Sequence, residues 1–397
     1  MKKLIFISLF ISAFVFTSCS DDNDEVILPT TTAPESYVFE REGESTVNFA
    51  GQTSRIKMAE ELTEALLDNA NTFDKLDKMY KHKAGDNDFS DSELNTSDRN
   101  VRSKIAASKD YFESNSTEAT KIRELFDSYI KKQVEEVFPN WNKNAKAGEA
   151  GVIQEAGGGT KRYVNAKGLE YNQAFAKSLI GAMIVDQMLN HYLSKNRFEG
   201  ATEDNNAVTL VEGQNYTNME HWWDEAYGYL YGKEVDEANP VLGSDDFLSK
   251  YLKRVQDDID FQGIAKEIFD AFKLGRAAIV NKDYTLRDEQ ANIIKAAISK
   301  VIAVRAVYYL QAGKDNLANN KAAAFHNLSE GYGFIHSLRF TQNPETSNPY
   351  FTPEEVNEML EKLQAGNGFW DIKKDDLQSI SADIATKFDF TVEQAKN

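Results

Sequence analysis

The chain has 397 residues, with 63 acidic against 45 basic side chains and a formal net charge of −18. That balance repels nucleic-acid phosphates, and no basic, aromatic-rich patch offsets it, so nucleic acid is excluded as a partner. Cys19 is the single cysteine, which excludes an intramolecular disulfide.

The first residues carry the clearest signal. Lys2 and Lys3 precede an apolar run over residues 4–16. The run is too short to cross a hydrocarbon core, which takes about 20 residues, and matches the apolar part of a signal peptide. Thr17 and Ser18 are small and lead into Cys19, so residues 1–18 are expected to be removed and Cys19 to be lipidated. Phe16 stands where such a cleavage box prefers Leu. Ser20-Asp21-Asp22-Asn23-Asp24 then resembles the acidic tag of lipoproteins sent to the outer face of the outer membrane. The expected location is the cell surface, with the lipid as the only membrane contact. Residues 19–36, with Pro29, Pro34 and three consecutive threonines, are expected to form a flexible tether.

Along the body, residues 37–397, two short alternating runs flank Gly43 and predict a small strand pair. Met58, Leu62, Ala65 and Leu66 recur at helical spacing. Asn115 with Glu118 predicts a helix start, and Pro139 its end. Residues 142–165 hold five glycines and predict an exposed loop, closing with a short strand at Tyr163-Val164. A long apolar helix is expected over 169–193. Thr217 with Glu220 forms a capping box ahead of Trp222-Trp223, and Thr352-Pro353-Glu354-Glu355 forms another. Thr285 with Asp288 predicts a further start, and Gly313 a stop. One more helix is expected through Phe325, Leu328, Phe334 and Leu338. The expected fold class is all-α: two packed helical-bundle lobes, about 37–200 and 201–397, with at most a small strand pair near the N-terminus.

Two of the five histidines carry a carboxylate at helical spacing. His221 has Asp224 at i+3 and Glu225 at i+4; His326 has Glu330 at i+4. Such pairs lie on one helix face and can share a cation, and oxygen with imidazole suits iron or zinc. The alternative is an imidazole bonded to its own helix neighbour. In HWWDEAYGYLY, His221 could also ligate a haem stacked by Trp222 or Tyr227; the alternative is a buried aromatic helix at an interface. Gly331 and Gly333 inside a helix call for a close crossing or a break around a ligand. Asp186 interrupts an apolar face, with Arg276, Arg305 or a metal as its expected partner. The zinc-protease HExxH, the GxSxG elbow, a P-loop and an EF-hand loop are all missing from the sequence.

The stretches VNFAGQTSRIKMAEEL, EYNQAFAKSLIGAMIVDQMLNHYL, EHWWDEAYGYLYG and AAAFHNLSEGYGFIHSLRF are similar to a surface-lipoprotein family described as domain of unknown function 4856, near the imelysin-like proteins. The resemblance implies a two-lobed helical body associated with iron uptake. The imelysin motif Gly-x-His-x-x-Glu meets here Met219-Glu220-His221-Trp222-Trp223-Asp224, which lacks the glycine and replaces the glutamate by aspartate. The resulting expectation is a surface lipoprotein that binds a metal or haem without turnover, using His221, Asp224 and Glu225, with His326 and Glu330 as a second cluster or the completion of the first. A TonB-dependent receptor or another surface protein would be its partner. Two further readings stand beside it: a metal-dependent hydrolase, and a module that binds glycan or protein through exposed Trp and Tyr.

Overall fold

A computed structural model describes residues 31–397; the expected signal peptide, Cys19 and most of the tether lie outside the described residues. The chain enters through a two-residue-per-strand hairpin, β1 (Glu40–Arg41) and β2 (Glu44–Ser45). This is the expected strand pair, shorter than the alternating runs around it. Helices follow, and the longer ones are α1 (Ala50–Ala65), α2 (Phe73–Lys81), α3 (Ser116–Lys132), α4 (Tyr171–Leu179), α5 (Asn218–Tyr231), α6 (Leu248–Asp257), α7 (Ile264–Val280), α8 (Tyr284–Asn316), α9 (Lys321–Ser337), α10 (Pro353–Leu363) and α11 (Lys374–Lys387). The body is mostly helical, as expected.

The capping residues do what their spacing predicts. Asn115 accepts from the Glu118 amide, and Thr217 and Thr352 close capping boxes with Glu220 and Glu355. Each satisfies amides that the first turn would otherwise leave without partners. Two boundaries differ from expectation. α8 is capped by Asp283, which accepts from the Leu286 amide, so it begins ahead of Thr285. It also runs on past Gly313. A Cβ there would lie 2.5 Å from Leu328 Cδ2, so this glycine serves a close α8–α9 contact rather than a helix stop.

α8 is the central element. From Val301 to Val307 every residue is buried, because α7, α9 and α11 surround it. α9 crosses α4 at close range: a Cβ at Gly333 would sit 2.5 Å from Lys177 Cβ. Gly333 therefore permits this crossing, a Cβ at Gly331 would lie 3.3 Å from Tyr309 Cβ of α8, and α9 is unbroken around both. α4 packs on α9 and α1 packs on α5, so helices from both sides of residue 200 interleave, and residues 31–397 form one compact unit.

The expected 169–193 helix is α-helical over Tyr171–Leu179 and again only at Asp186 and Gln187. It widens into π-helical turns at Ile180–Val185 and Met188–Tyr192. Such turns shift the phase of the side chains and recur at functional sites. The expected loop over 142–165 holds a second strand pair, β3 (Gly151–Gln154) with β4 (Lys161–Val164), beyond the single pair anticipated. Gly157 and Gly158 both take positive φ and tighten the connection, and Trp141 stacks on Tyr163 with 3.4 Å between ring centroids.

Candidate ligand cleft around His221

α5 presents two chemically opposite faces. Glu220, Asp224 and Tyr227 lie on the inner one, at helical spacing. Asp224 is fully buried and accepts from Tyr37 Oη at 2.6 Å and Arg276 Nε at 3.0 Å. Glu220 accepts from Arg276 Nη1 at 3.2 Å and from Arg41 Nη2 at 2.9 Å, while it caps its own helix through the Thr217 amide. Arg276 completes its fork on Thr46 Oγ1 at 3.0 Å. Burial pushes the Asp224 carboxyl up to about 6, against the pull of Arg276 and Tyr37. Tyr227 is buried too, its ring stacked on Tyr37 at 3.7 Å.

The outer face carries His221 and Glu225, with His221 Nε2 and Glu225 Oε2 3.7 Å apart. They line a cleft of about 430 Å³. Four other segments supply its walls: Gln52 and Arg55 from α1, Arg99 and Lys104 from the chain before α3, Tyr192 from the second π turn, and Gln214 and Tyr216 ahead of α5. Gln52 Nε2 donates to Glu225 Oε1 at 2.9 Å, and Lys104 Nζ donates to Tyr192 Oη at 3.2 Å. Tyr216 stacks on the His221 imidazole at 4.5 Å. Burial drives the His221 pKa down, with Glu225 opposing. Burial, then Arg55, lowers Lys104 to about 8.

A second cavity, of about 580 Å³, adjoins through neighbouring residues of the same elements. Its walls include Lys109, Arg123, His191, Arg197 and Trp222. Arg197 covers the Trp222 ring at 4.1 Å, faces the Tyr192 ring at 5.5 Å and touches His191 Nε2. Burial and Arg197 lower His191 to about 3.

The expected site residues thus separate. Of the first metal cluster, His221 and Glu225 stay together, whereas Asp224 turns away to Arg276. Of the expected haem contacts, Tyr227 is occupied by Tyr37, and Trp222 lines the neighbouring cavity under Arg197. In the second cluster His326 Nδ1 pairs with Glu170 Oε2 at 2.7 Å rather than with Glu330. Glu330 pairs with Lys177 at 3.4 Å and accepts from Tyr251 Oη at 3.3 Å. Neither lines the His221 cleft, and among the described residues no group of three or more His, Cys, Asp or Glu converges as a metal site. Asp186 takes neither arginine. It accepts from the Ala107 and Ser108 amides, both at 3.0 Å, pinning that turn to the π-helical tract.

Gln52, Arg55, Lys104, Arg197 and Tyr216 were not singled out by sequence reasoning. For α1 a signal existed: the buried stripe of Ile56, Ala59 and Leu62 continues through the polar Gln52 and Arg55. A polar residue on a buried stripe calls for a partner or a ligand.

No curated protein and no solved structure matches the chain. The family model described as "Domain of unknown function (DUF4856)" matches residues 34–391, which include both faces of α5, and the chain belongs to that family.

Proposed function

We propose that this chain is a lipid-anchored protein of the outer-membrane surface that captures a polar ligand in the His221 cleft and does not turn it over. One observation carries the reading: five separate chain segments converge on a cavity of about 430 Å³ with walls that are mostly polar or aromatic side chains. Pockets of this size hold small organic molecules, and placed polar groups fix their orientation. The anchoring part rests on Lys2, Lys3, the apolar run, Cys19 and the acidic residues after it. Delivery of the ligand to a TonB-dependent receptor is part of the proposal. The test is thermal-shift and calorimetric screening of the full chain in detergent against neutral and charged sugars, beside His221→Ala and Tyr216→Ala. Ligand-induced stabilisation that both substitutions remove is the expected result. Stabilisation that neither alters would overturn the cleft.

A second reading keeps the metal. His221 Nε2 and Glu225 Oε2 face one cleft 3.7 Å apart, close enough to share a cation whose remaining ligands come from water or from a bound molecule. Kinship with the imelysin-like proteins belongs to this reading, although the aspartate matching their motif is engaged by Arg276. Titration with zinc and iron, read against Glu225→Gln, separates it from the first. A haem ligated by His221, or a hydrolase using a metal-bound water, would require this cation or an equivalent first.

A further inference from the structure

The charges around the cleft do not balance. Acids outnumber bases in this chain, and the buried Arg276 meets two carboxylates. Arg55 is buried, with only 7 % of its surface exposed, yet it has no carboxylate within 4 Å among the described residues. Its Nε has no hydrogen-bond partner there either, and its Nη1 reaches only the Gly51 carbonyl of its own helix at 3.3 Å. Lys104 and Arg197 likewise form no salt bridge among the described residues; they rest on Tyr192 and, for Arg197, on Trp222. Glu225 is the one carboxylate in the wall of the cleft, and Gln52 already donates to it. A buried guanidinium without an anion is costly, and a fork-shaped donor beside an ammonium is the arrangement that receives a planar or tetrahedral oxyanion.

We infer that the cleft receives a hydroxylated organic anion of monosaccharide size, its carboxylate or phosphate held by Arg55 and Lys104 and its hydroxyls by Glu225 and Gln52. This rests on the proposed cleft and names its ligand class. Glu225 and Gln52 suit hydroxyl groups because one accepts and the other does both. The Tyr216 ring, held parallel to the His221 imidazole, closes one side of the cleft with an aromatic surface. Burial, and after it the charges of Arg55, Arg197 and Arg99, lower the proton affinity of Lys104, and a bound anion relieves that repulsion. Arg197 extends the positive wall into the second cavity.

The experiment is calorimetry on the full chain in detergent with three probes: glucuronate, glucose 6-phosphate and glucose. The first two separate a sugar acid from a sugar phosphate, and the third lacks the anion. The expected result is binding of at least one anion with a Kd under about 1 mM, no detectable binding of glucose, and at least a tenfold loss in Lys104→Met. Arg55→Gln should weaken binding as strongly; Lys104, on the rim, keeps the test open if Arg55→Gln fails to fold. Added salt should weaken the anion and leave any neutral binding unchanged. Glucose binding as tightly as the anions, an unchanged anion affinity in Lys104→Met, or no binding of any probe would overturn the inference. Glucose binding that His221→Ala abolishes would remove the anion while leaving the cleft standing. Anion binding that ignores both His221→Ala and Tyr216→Ala would remove the cleft itself.

Discussion

The two faces of α5 hold similar residues in opposite states. On the inner face Glu220 and Asp224 meet Arg276 and Arg41, and every charge has a counter-charge within 3.2 Å. On the outer face Glu225 is the lone acid in a wall that also holds Arg55, Arg99 and Lys104. The inner cluster is closed by Tyr37 and Phe39, with the Arg276 guanidinium 4.9 Å from the Phe39 ring, whereas the outer one opens on a cavity. A satisfied buried cluster holds elements in register. An unsatisfied one stores a capacity to bind, at a cost in stability.

The largest effect comes from opening the closed side. Arg276→Met leaves the fully buried Asp224 without a cation and Glu220 with Arg41 alone, and should destabilise the fold by about 3–5 kcal/mol, read by denaturant unfolding. A smaller loss is expected where the same face is packed most tightly. A Cβ on Gly275 would lie 2.1 Å from Trp223 Cζ2, so Gly275→Ala should cost about 1–3 kcal/mol.

The open side should respond in the other direction. Lys104→Met removes a desolvated cation and should stabilise the protein by about 1 kcal/mol at pH 7 while weakening anion binding. Its folded pKa, near 8, lies below the unfolded value of 10.5. Between those values the unfolded chain holds more protons than the folded one, so wild-type stability rises with pH there. Lys295, also lowered to about 8 by burial, adds the same slope. The advantage of Lys104→Met over wild type should therefore shrink as pH climbs from 8 to 10.5; an advantage constant across that window would break the argument. The smallest effect is Glu225→Gln, expected within about 0.5 kcal/mol of wild type, with any zinc affinity lost.

What could be read from the sequence was local. Capping boxes at Thr217 and Thr352 need only three or four consecutive residues, and both appear as expected. The helical spacing of His221 and Glu225 correctly put them on one face. Spacing says nothing of what crosses to meet a side chain. Asp224 found Arg276, 52 residues away, and His326 found Glu170, 156 residues away. Gly313 was misread for the same reason, since its role depends on Leu328 of the next helix. The cleft itself draws on segments from Asn48 to Glu225, and beyond His221 and Glu225 only the polar break in the α1 stripe signals any part of it.

The hairpin that closes the inner face also determines where mechanical load enters the body. Tyr37 is clipped to α5 by its hydroxyl on Asp224 and its ring on Tyr227, and to the segment after α5 by its amide on the Ala238 carbonyl; Arg41 adds another clip on Glu220. Lys273 of α7 donates to the Glu35 carbonyl at 3.1 Å, so a pull on the N-terminal segment is shared by α7 and the inner face of α5. The far side of α5 forms the cleft, so strain along the N-terminal segment and occupancy of the cleft meet on one helix.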